Sequence, residues 1–456
     1  RRTTVNGRII VGGKGRKPPK EADVFLHIAM KVAKNCRYVE PQFTLRFDKE
    51  TSEEIWDEAL DALGAGATYP TLYNDDVNVP AVMYGMRVDE KTAEQYVPFG
   101  CTEFVIQGQS TGTPNICINL LKLLTIYMND GIDPIDGKRK SGPVPLKKLE
   151  EYQTFEEFYD GYKALLDYYL DLSVKAQYHS YEVMNQHVSF LFTSLLTDDC
   201  IARGKALLDG GVRYLGGTNE TYGNINTSDS LWVIRDLVFN QKKYTLRQLN
   251  DAMLANFNGY EALRKDCLNC DKYGNDLETA DTMANDLYEF VAKGVRNRGI
   301  AIGMQYFLIV ISNNQLNTEW GNRTAASPDG RLSCMYMNPA NNPQGGANKS
   351  GPTAMLNSLA KFDAKYHGGS VQNIKFSPSM FNENRAVIKS LFKTYFAKGG
   401  CHLMVTVVDK GVLEDAVEHP ENYPDLIVRV SGFSAVFVDL SPNIQQELLS
   451  RVLYDK

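Results

Sequence analysis

Val428 to Leu440 reads VRVSGFSAVFVDL, with Gly432 standing between two apolar runs. No proline, asparagine or second glycine follows it to build a turn. Glycine has no Cβ, so its Cα can flatten into a planar radical that shares its odd electron with the neighbouring amide nitrogen and carbonyl. No other residue does this so easily. The flanks LIVRV and AVFVDL are β-rich apolar runs suited to burying such a loop away from solvent. Taken by itself, SGFS favours a buried tight bend.

The surrounding sequence changes that balance. From Gly399 the chain continues GGCHLMVTVVDKGVLEDAVEHPENYPDLIVRVSGFSAVFVDLSPNIQQELLSR. This stretch resembles the C-terminal glycyl radical domain of the pyruvate formate-lyase superfamily. Further motifs are similar to signatures of the same family: PQFTLRF from Pro41, LYNDDVNVP from Leu72, KYGND from Lys272, SPDGR from Ser327, GGANKSGPTAMLNS from Gly345 and NIKFSPSM from Asn373. The resemblance covers essentially the whole chain in the family's order. It implies an α/β fold, the C-terminal half of a ten-stranded β/α barrel in which a cysteine loop and a glycine loop meet. Residues 1–315 would belong to the barrel and 316–456 to the glycyl radical domain. Family members are about twice this length, so an N-terminal half, in the same or a separate polypeptide, is an expected partner.

The second chemical constellation is FGCTEFVIQGQSTGTPN, Phe99 to Asn115. A glycyl radical serves chemistry only if it can be passed on, and a thiol suits the relay because S–H and peptide Cα–H bonds have similar strengths. Cys101 is the candidate, and Glu103, two residues on, falls on the same face of an extended segment. On its own Cys101 reads as a small buried hydrophobe. The G-C-x-E pattern after YNDDVNVP resembles the family's cysteine loop. That implies a thiyl relay at Cys101 and a general base at Glu103, for which burial would have to raise the carboxyl pKa.

Pyruvate formate-lyase itself has two adjacent cysteines, whereas Cys101 is flanked by Gly100 and Thr102. Acyl transfer from pyruvate is therefore disfavoured. The loop is similar instead to those of diol dehydratases, choline and isethionate lyases, hydroxyproline dehydratase and arylacetate decarboxylases. Diol dehydratases carry an aspartate further along, where this chain has Asn115 or a near neighbour, which argues against a vicinal diol as substrate. The resemblance implies radical elimination, breaking a C–O, C–N, C–S or C–C bond of a small anaerobic metabolite. It implies no dissociable cofactor, because a separate S-adenosylmethionine-dependent iron–sulfur activating enzyme installs the radical on Gly432. A homodimer is expected. Formate C-acetyltransferase-like chemistry and a non-catalytic half or repair subunit stay open as alternatives.

Other polar candidates are less specific. GGTNETYGNINTSDSL, Gly216 to Leu231, resembles a family loop whose Asn219, Glu220 and Thr221 could meet substrate, and it reads equally as a solvated turn. His402 is expected to support the radical loop. Cys267 and Cys270 form a lone CxxC on a predicted helix, and no second pair has metal-ligand spacing. His27, His179, His187, His367 and His419 make no metal motif.

Composition fits an intracellular enzyme. The 456 residues are 43% hydrophobic and 23% charged, enough for a sizeable core, and their number suggests two or three domains. A net charge of −6 argues against nucleic acid or an anionic membrane as partner. GMQYFLIVIS, from Gly303, is the best apolar run and is too short to span a bilayer. RRTTVNGR at the start lacks the apolar stretch of an export signal, and eight scattered cysteines read as reduced thiols of an anaerobic cytoplasm.

Periodicity predicts helices over 115–127, 154–173, 230–239, 246–256, 279–293 and 385–398, with a loop over 129–144. Thr51 to Glu54 reads as a capping box opening IWDEALDAL, with Gly64 as its stop. Strands are predicted over 43–47, 371–374, 403–408 and 426–430.

Overall fold

YFLIVI carries no polar alternation, and QFTLRF has side chains that need cover on both faces; each is buried along its whole length. The structure, a computed structural model, describes residues 8–15, 19–36, 39–99, 102–111, 114–311 and 315–455. Cys101 lies outside the described residues. In chain order the strands are β1 (Arg8–Gly12), β2 (Gln42–Phe47), β3 (Thr71–Asn74), β4 (Tyr96–Phe99), β5 (Glu103–Ile106), β6 (Pro114–Asn119), β7 (Gly216–Tyr222), β8 (Tyr306–Ile311), β9 (His367–Ser370), β10 (Asn373–Phe376), β11 (His402–Val407), β12 (Ile427–Arg429) and β13 (Ser434–Val436). The chain divides into two compact units, neither continuous in sequence: 1–107 with 312–314 and 350–456, and 108–311 with 315–349.

The first unit holds a five-stranded sheet of order β1-β2-β3-β11-β10. β1, β2 and β3 are mutually parallel, and β11 and β10 are parallel to each other. The two groups meet antiparallel where His402 faces Tyr73 and Leu403 faces Leu72. Two antiparallel hairpins accompany the sheet. In β4–β5, Tyr96 pairs with Ile106 and Phe99 with Glu103; in β12–β13, Ile427 pairs with Val436 and Arg429 with Ser434. The second hairpin rests on its own apolar cluster, which includes Leu413, Ala416, Val428, Phe437 and Leu448. Burying Phe437 completely contributes about 2–3 kcal/mol before strain and entropy are counted.

The helix Glu53–Gly64 shows how local sequence sets these elements. Its cap is Ser52, whose hydroxyl accepts from Ile55 N–H at 3.4 Å. The third helical residue is thus Ile55, so no carboxylate completes the predicted box, and Thr51 hydrogen-bonds Asp48 instead. Ile55, Trp56, Ala59, Leu60 and Leu63 form the buried stripe of this helix.

In the second unit β6, β7 and β8 run parallel, with the helices Phe155–His187 and Glu278–Ala301 packed against them. Two sequence expectations fail here. The predicted helix over 115–127 is strand up to Asn119; only Leu120–Met128 is helical, capped by Asn119 Oδ1 accepting from Lys122 N–H at 2.9 Å. Short apolar runs carry no period that separates strand from helix, and the parallel partner β7 decides for strand. The stretch 216–231, expected as a loop, is fully buried as β7 followed by the helix Asn224–Val233. Its glycines mark close packing: a Cβ on Gly216 would lie 2.1 Å from the Tyr306 ring, and one on Gly217 3.0 Å from that of Phe307. Among the described residues no helix is long and apolar enough to cross a membrane.

Candidate active site

The turn between β12 and β13 carries Gly432, which is buried. Val430 and Ser431 N–H both donate to the Phe433 carbonyl, at 3.1 and 3.3 Å. Gly432 is not among the glycines with positive φ, so the turn itself does not call for glycine. Three arginines surround it. Arg8 Nη2 donates to the Gly432 carbonyl at 3.4 Å. Arg451 Nη2 donates to the Val430 carbonyl at 2.7 Å while forking onto Glu447 at 2.8 and 2.9 Å. Arg429, buried on β12, reaches Ser434 Oγ at 3.4 Å and lies 5.2 Å over the Tyr69 ring. Thr68 Oγ1 completes the tie at 2.8 Å from Ser434 Oγ.

The β4–β5 hairpin has Phe99 opposite Glu103, and residues 100–102 connect them, Cys101 among these. Thr102 has φ +87°, a left-handed value that a β-branched residue rarely adopts. Such backbone strain, roughly 1–3 kcal/mol, persists only where neighbours enforce it, and it clusters at functional sites. Gly369 on β9 is one such neighbour: at φ +149°, a Cβ there would stand 2.3 Å from the Thr102 carbonyl oxygen. Glu103 is 3% exposed.

The base of this hairpin is fixed by a buried ion pair. Arg46 forks onto Asp75 at 2.9 and 2.8 Å, donates to the Glu94 and Tyr96 carbonyls, and stacks 4.0 Å over the Tyr96 ring. Tyr96 Oη donates to Asp75 Oδ1 at 2.7 Å. Removing either partner would leave the other charge buried without its counter-ion.

The Tyr73 and His402 rings pack at a tilt of 58° with centroids 4.6 Å apart. Burial, then Arg429 and Arg8, holds the His402 imidazole well below its ordinary pKa, so it is neutral. Burial raises the Tyr73 phenol, with Arg8, Arg429 and Glu103 among the charges that act on it. The Cys401 thiol is pushed up to about 12 by burial and stays protonated. Tyr73 Oη, Thr102 Oγ1 and Ser431 Oγ are buried without a hydrogen-bond partner among the described residues. Buried polar atoms of this kind usually answer to a ligand or ordered water.

The second unit holds the other candidates. Asn219 Nδ2 donates to Ser173 Oγ at 2.8 Å, and Thr221 Oγ1 to the Val310 carbonyl at 3.4 Å. Glu220 Oε2 accepts from Tyr222 Oη at 2.6 Å and from Cys117 Sγ at 3.6 Å. Burial and Glu220 push the Cys117 thiol up to about 12. Cys267 and Cys270 sit at the end of the helix Glu261–Asn269, their thiols raised by burial to about 12 and about 11. Lys272 Nζ donates to both their carbonyls, at 2.5 and 3.2 Å, which satisfies the helix C-terminus. On the surface of the first unit His27, Glu54 and Glu58 place one ligand atom each within 4.8 Å, and His27 Nδ1 lies 2.7 Å from Glu58 Oε2, an arrangement an ion pair accounts for.

Three sequence signatures converge in the second unit. Tyr273 N–H of KYGND donates to Asp229 Oδ1 at 2.9 Å, and Asp329 of SPDGR accepts from Asn226 Nδ2 at 2.6 Å. The Ala347 carbonyl, beside the GGAN glycines, accepts from Asn275 Nδ2 at 3.0 Å. They border a cavity of about 290 Å³ with Asp229, Lys272 and Arg331. Sequence reasoning missed Asp229, Arg8 and Tyr73. The signal for Arg8 was a lone cation opening an apolar strand, which one sequence cannot distinguish from a solvated edge.

Residues 3–316 match the family model described as pyruvate formate lyase-like, and residues 337–438 match that of the glycine radical. The chain is 30% identical over 428 residues to trans-4-hydroxy-L-proline dehydratase of Clostridioides difficile, covering 93% of this chain and 54% of that protein. It is 27% identical over 455 residues to (2S)-3-sulfopropanediol dehydratase of Klebsiella oxytoca, covering 97% and 54%. The glycerol-bound B12-independent glycerol dehydratase from Clostridium butyricum superposes with a TM-score of 0.91 at 29% identity, over 98% of this chain and 57% of that one. The chain thus spans about half the length of the curated relatives it matches.

Proposed function

From the premise that this chain belongs to the pyruvate formate lyase-like glycyl radical family, we propose that it is the radical-bearing part of a lyase or dehydratase. Gly432 stores the unpaired electron after a separate S-adenosylmethionine-dependent, iron–sulfur activating enzyme removes its α-hydrogen atom. When substrate binds, the Cys101 thiol gives its hydrogen atom to Gly432, and the thiyl so formed takes one from a substrate C–H bond. Glu103 accepts a proton from the adjacent hydroxyl or equivalent group, and the β-substituent departs with the electron pair of its bond. The product radical then takes hydrogen back from Cys101, and the thiyl regains its hydrogen from Gly432.

The observation that carries this reading is the common placement of Gly432 and Glu103. Both are buried in one compact unit, Gly432 in the turn of one antiparallel hairpin and Glu103 as the first residue of the second strand of another. Burial is what such chemistry needs, since it keeps other hydrogen donors and oxygen from the radicals. An oxygen-free cytoplasm is the compartment that suits it.

The substrate class is a small hydroxylated, aminated or sulfonated molecule with a β-leaving group, or an arylacetate, in keeping with the dehydratase names of the relatives. We assign Asn219, Glu220 and Thr221 of β7 to its binding, and divide the labour between residues 1–315, which hold the substrate, and 316–456, which hold the radical. An N-terminal half and a second copy complete the enzyme. Anaerobic incubation of the whole enzyme with its activase tests the assignment. It should yield a doublet electron paramagnetic resonance signal that collapses to a singlet when glycine α-hydrogen is replaced by deuterium; absence of any doublet refutes it.

A further inference from the structure

Arg8, the first residue of β1, touches both hairpins. Nη1 donates to the Pro98 carbonyl of β4 at 3.2 Å and Nη2 to the Gly432 carbonyl at 3.4 Å. Nη2 also donates to Gln42 Oε1 at 2.7 Å, and Gln42 Nε2 in turn donates to Glu40 Oε1 at 3.0 Å. The short bond fixes the guanidinium on the sheet. The two longer ones reach out from it to strand β4 and to the Gly432 turn.

We propose that Arg8 is a positioning residue that holds the Gly432 turn against the β4–β5 hairpin and shapes the radical through the Gly432 carbonyl. This rests on the radical role of Gly432 argued above. A guanidinium is a rigid planar fork, so one cation can hold two carbonyls at a fixed separation, which the single point charge of lysine cannot do. Hydrogen-atom transfer is steep in distance, and the geometry that brings donor and acceptor together is set by what ties their loops. The second effect is electronic. A glycyl radical shares its electron with the adjacent carbonyl, and a cationic donor on that oxygen draws spin toward it and away from Cα. The 3.4 Å contact is also weak enough for a buried turn that an activating enzyme has to reach to leave and return.

The test uses the whole activated enzyme in heavy water. A thiol exchanges its hydrogen with solvent, so each return of hydrogen from sulfur to Gly432 delivers deuterium. The rate at which the doublet collapses therefore reports transfer across the two hairpins. Arg8→Met is expected to form the radical with an altered splitting, to collapse about tenfold to a hundredfold more slowly, and to lose kcat in proportion while KM stays within about twofold. Arg8→Lys should fall between, because it keeps the charge without the fork. A folded Arg8→Met enzyme that exchanges and turns over like the parent overturns the proposal. If that variant does not fold, Gln42→Met, which leaves Arg8 and removes its anchor, carries the same expectation in smaller measure, and parental exchange there overturns it as well. A parent enzyme that never gives a doublet speaks against the radical role of Gly432 instead.

Discussion

Arg451 Nη2 donates to the carbonyl oxygen of Val430, two residues before Gly432, while Nη2 and Nε together fork onto the buried carboxylate of Glu447. The turn that would carry the radical is thus held from behind by the helix Pro442–Ser450. Arg451→Met would leave Glu447, 2% exposed, without its cation. A loss of about 3–5 kcal/mol is expected for stranding such a charge, read as a lower denaturant midpoint. Arg451→Met with Glu447→Gln should recover much of it, and a midpoint unchanged by Arg451→Met would mean that the pair is solvated in practice.

Gly432→Ala is expected to fold, because the turn does not use positive φ at this position. It should give no glycyl signal after activation. In the parent enzyme, air admitted after activation should cut the chain at Gly432 and release a fragment beginning at Phe433, detectable by mass spectrometry. A doublet that survives Gly432→Ala would place the radical on another residue.

Cys101→Ser separates storage from relay. The radical on Gly432 should still form, and turnover should vanish, because O–H bonds are too strong for serine to replace the thiol. Exchange of the α-hydrogen in heavy water should vanish with it. Turnover by the serine variant would remove Cys101 from the mechanism.

Glu103→Gln keeps shape and hydrogen bonding and removes the capacity to accept a proton. The radical should form, substrate should bind, and kcat should fall on the order of 10²–10⁴-fold. Pyruvate with coenzyme A should give no formate in either form. Formate and acetyl-coenzyme A at an unimpaired rate in the glutamine variant would restore the acyltransferase alternative.

Gly432 and Glu103 could be singled out as candidates because each sits in a local pattern, a glycine between apolar runs and a G-C-x-E segment. Strands such as β2 and β11 were legible for a similar reason, since their β-branched and aromatic runs are short and bounded. β7 was not. Its GGTNETY has the composition of a loop, and it becomes a buried strand only because the Tyr306 and Phe307 rings of the parallel neighbour β8 fill the space above its two glycines. Arg8 was illegible on the same principle, since its partners Pro98 and Gly432 are 90 and 424 residues away in sequence. Long-range pairing decides both, and no window of sequence contains it.

Asp229 yields a pH prediction whose direction follows from burial. Its carboxyl is pushed from 3.8 up to about 7, chiefly by desolvation, with Lys272 and the Tyr273 N–H pulling it down and Asp329 and Asp281 raising it. Between those two values the unfolded chain gives up this proton while the folded chain keeps it. Folding is therefore opposed progressively as pH rises from about 4 to about 7, by about 4 kcal/mol in all at about 1.4 kcal/mol per pH unit. Asp229→Asn removes the titration and keeps the oxygen that accepts from Tyr273. Its stability relative to the parent should rise across that window, so that the variant is the more stable protein at pH 8 and loses the advantage by pH 4. Parallel stability curves for the two proteins from pH 4 to pH 8 would show that Asp229 titrates near its ordinary value, and that the 290 Å³ cavity beside it is wet enough to solvate the charge.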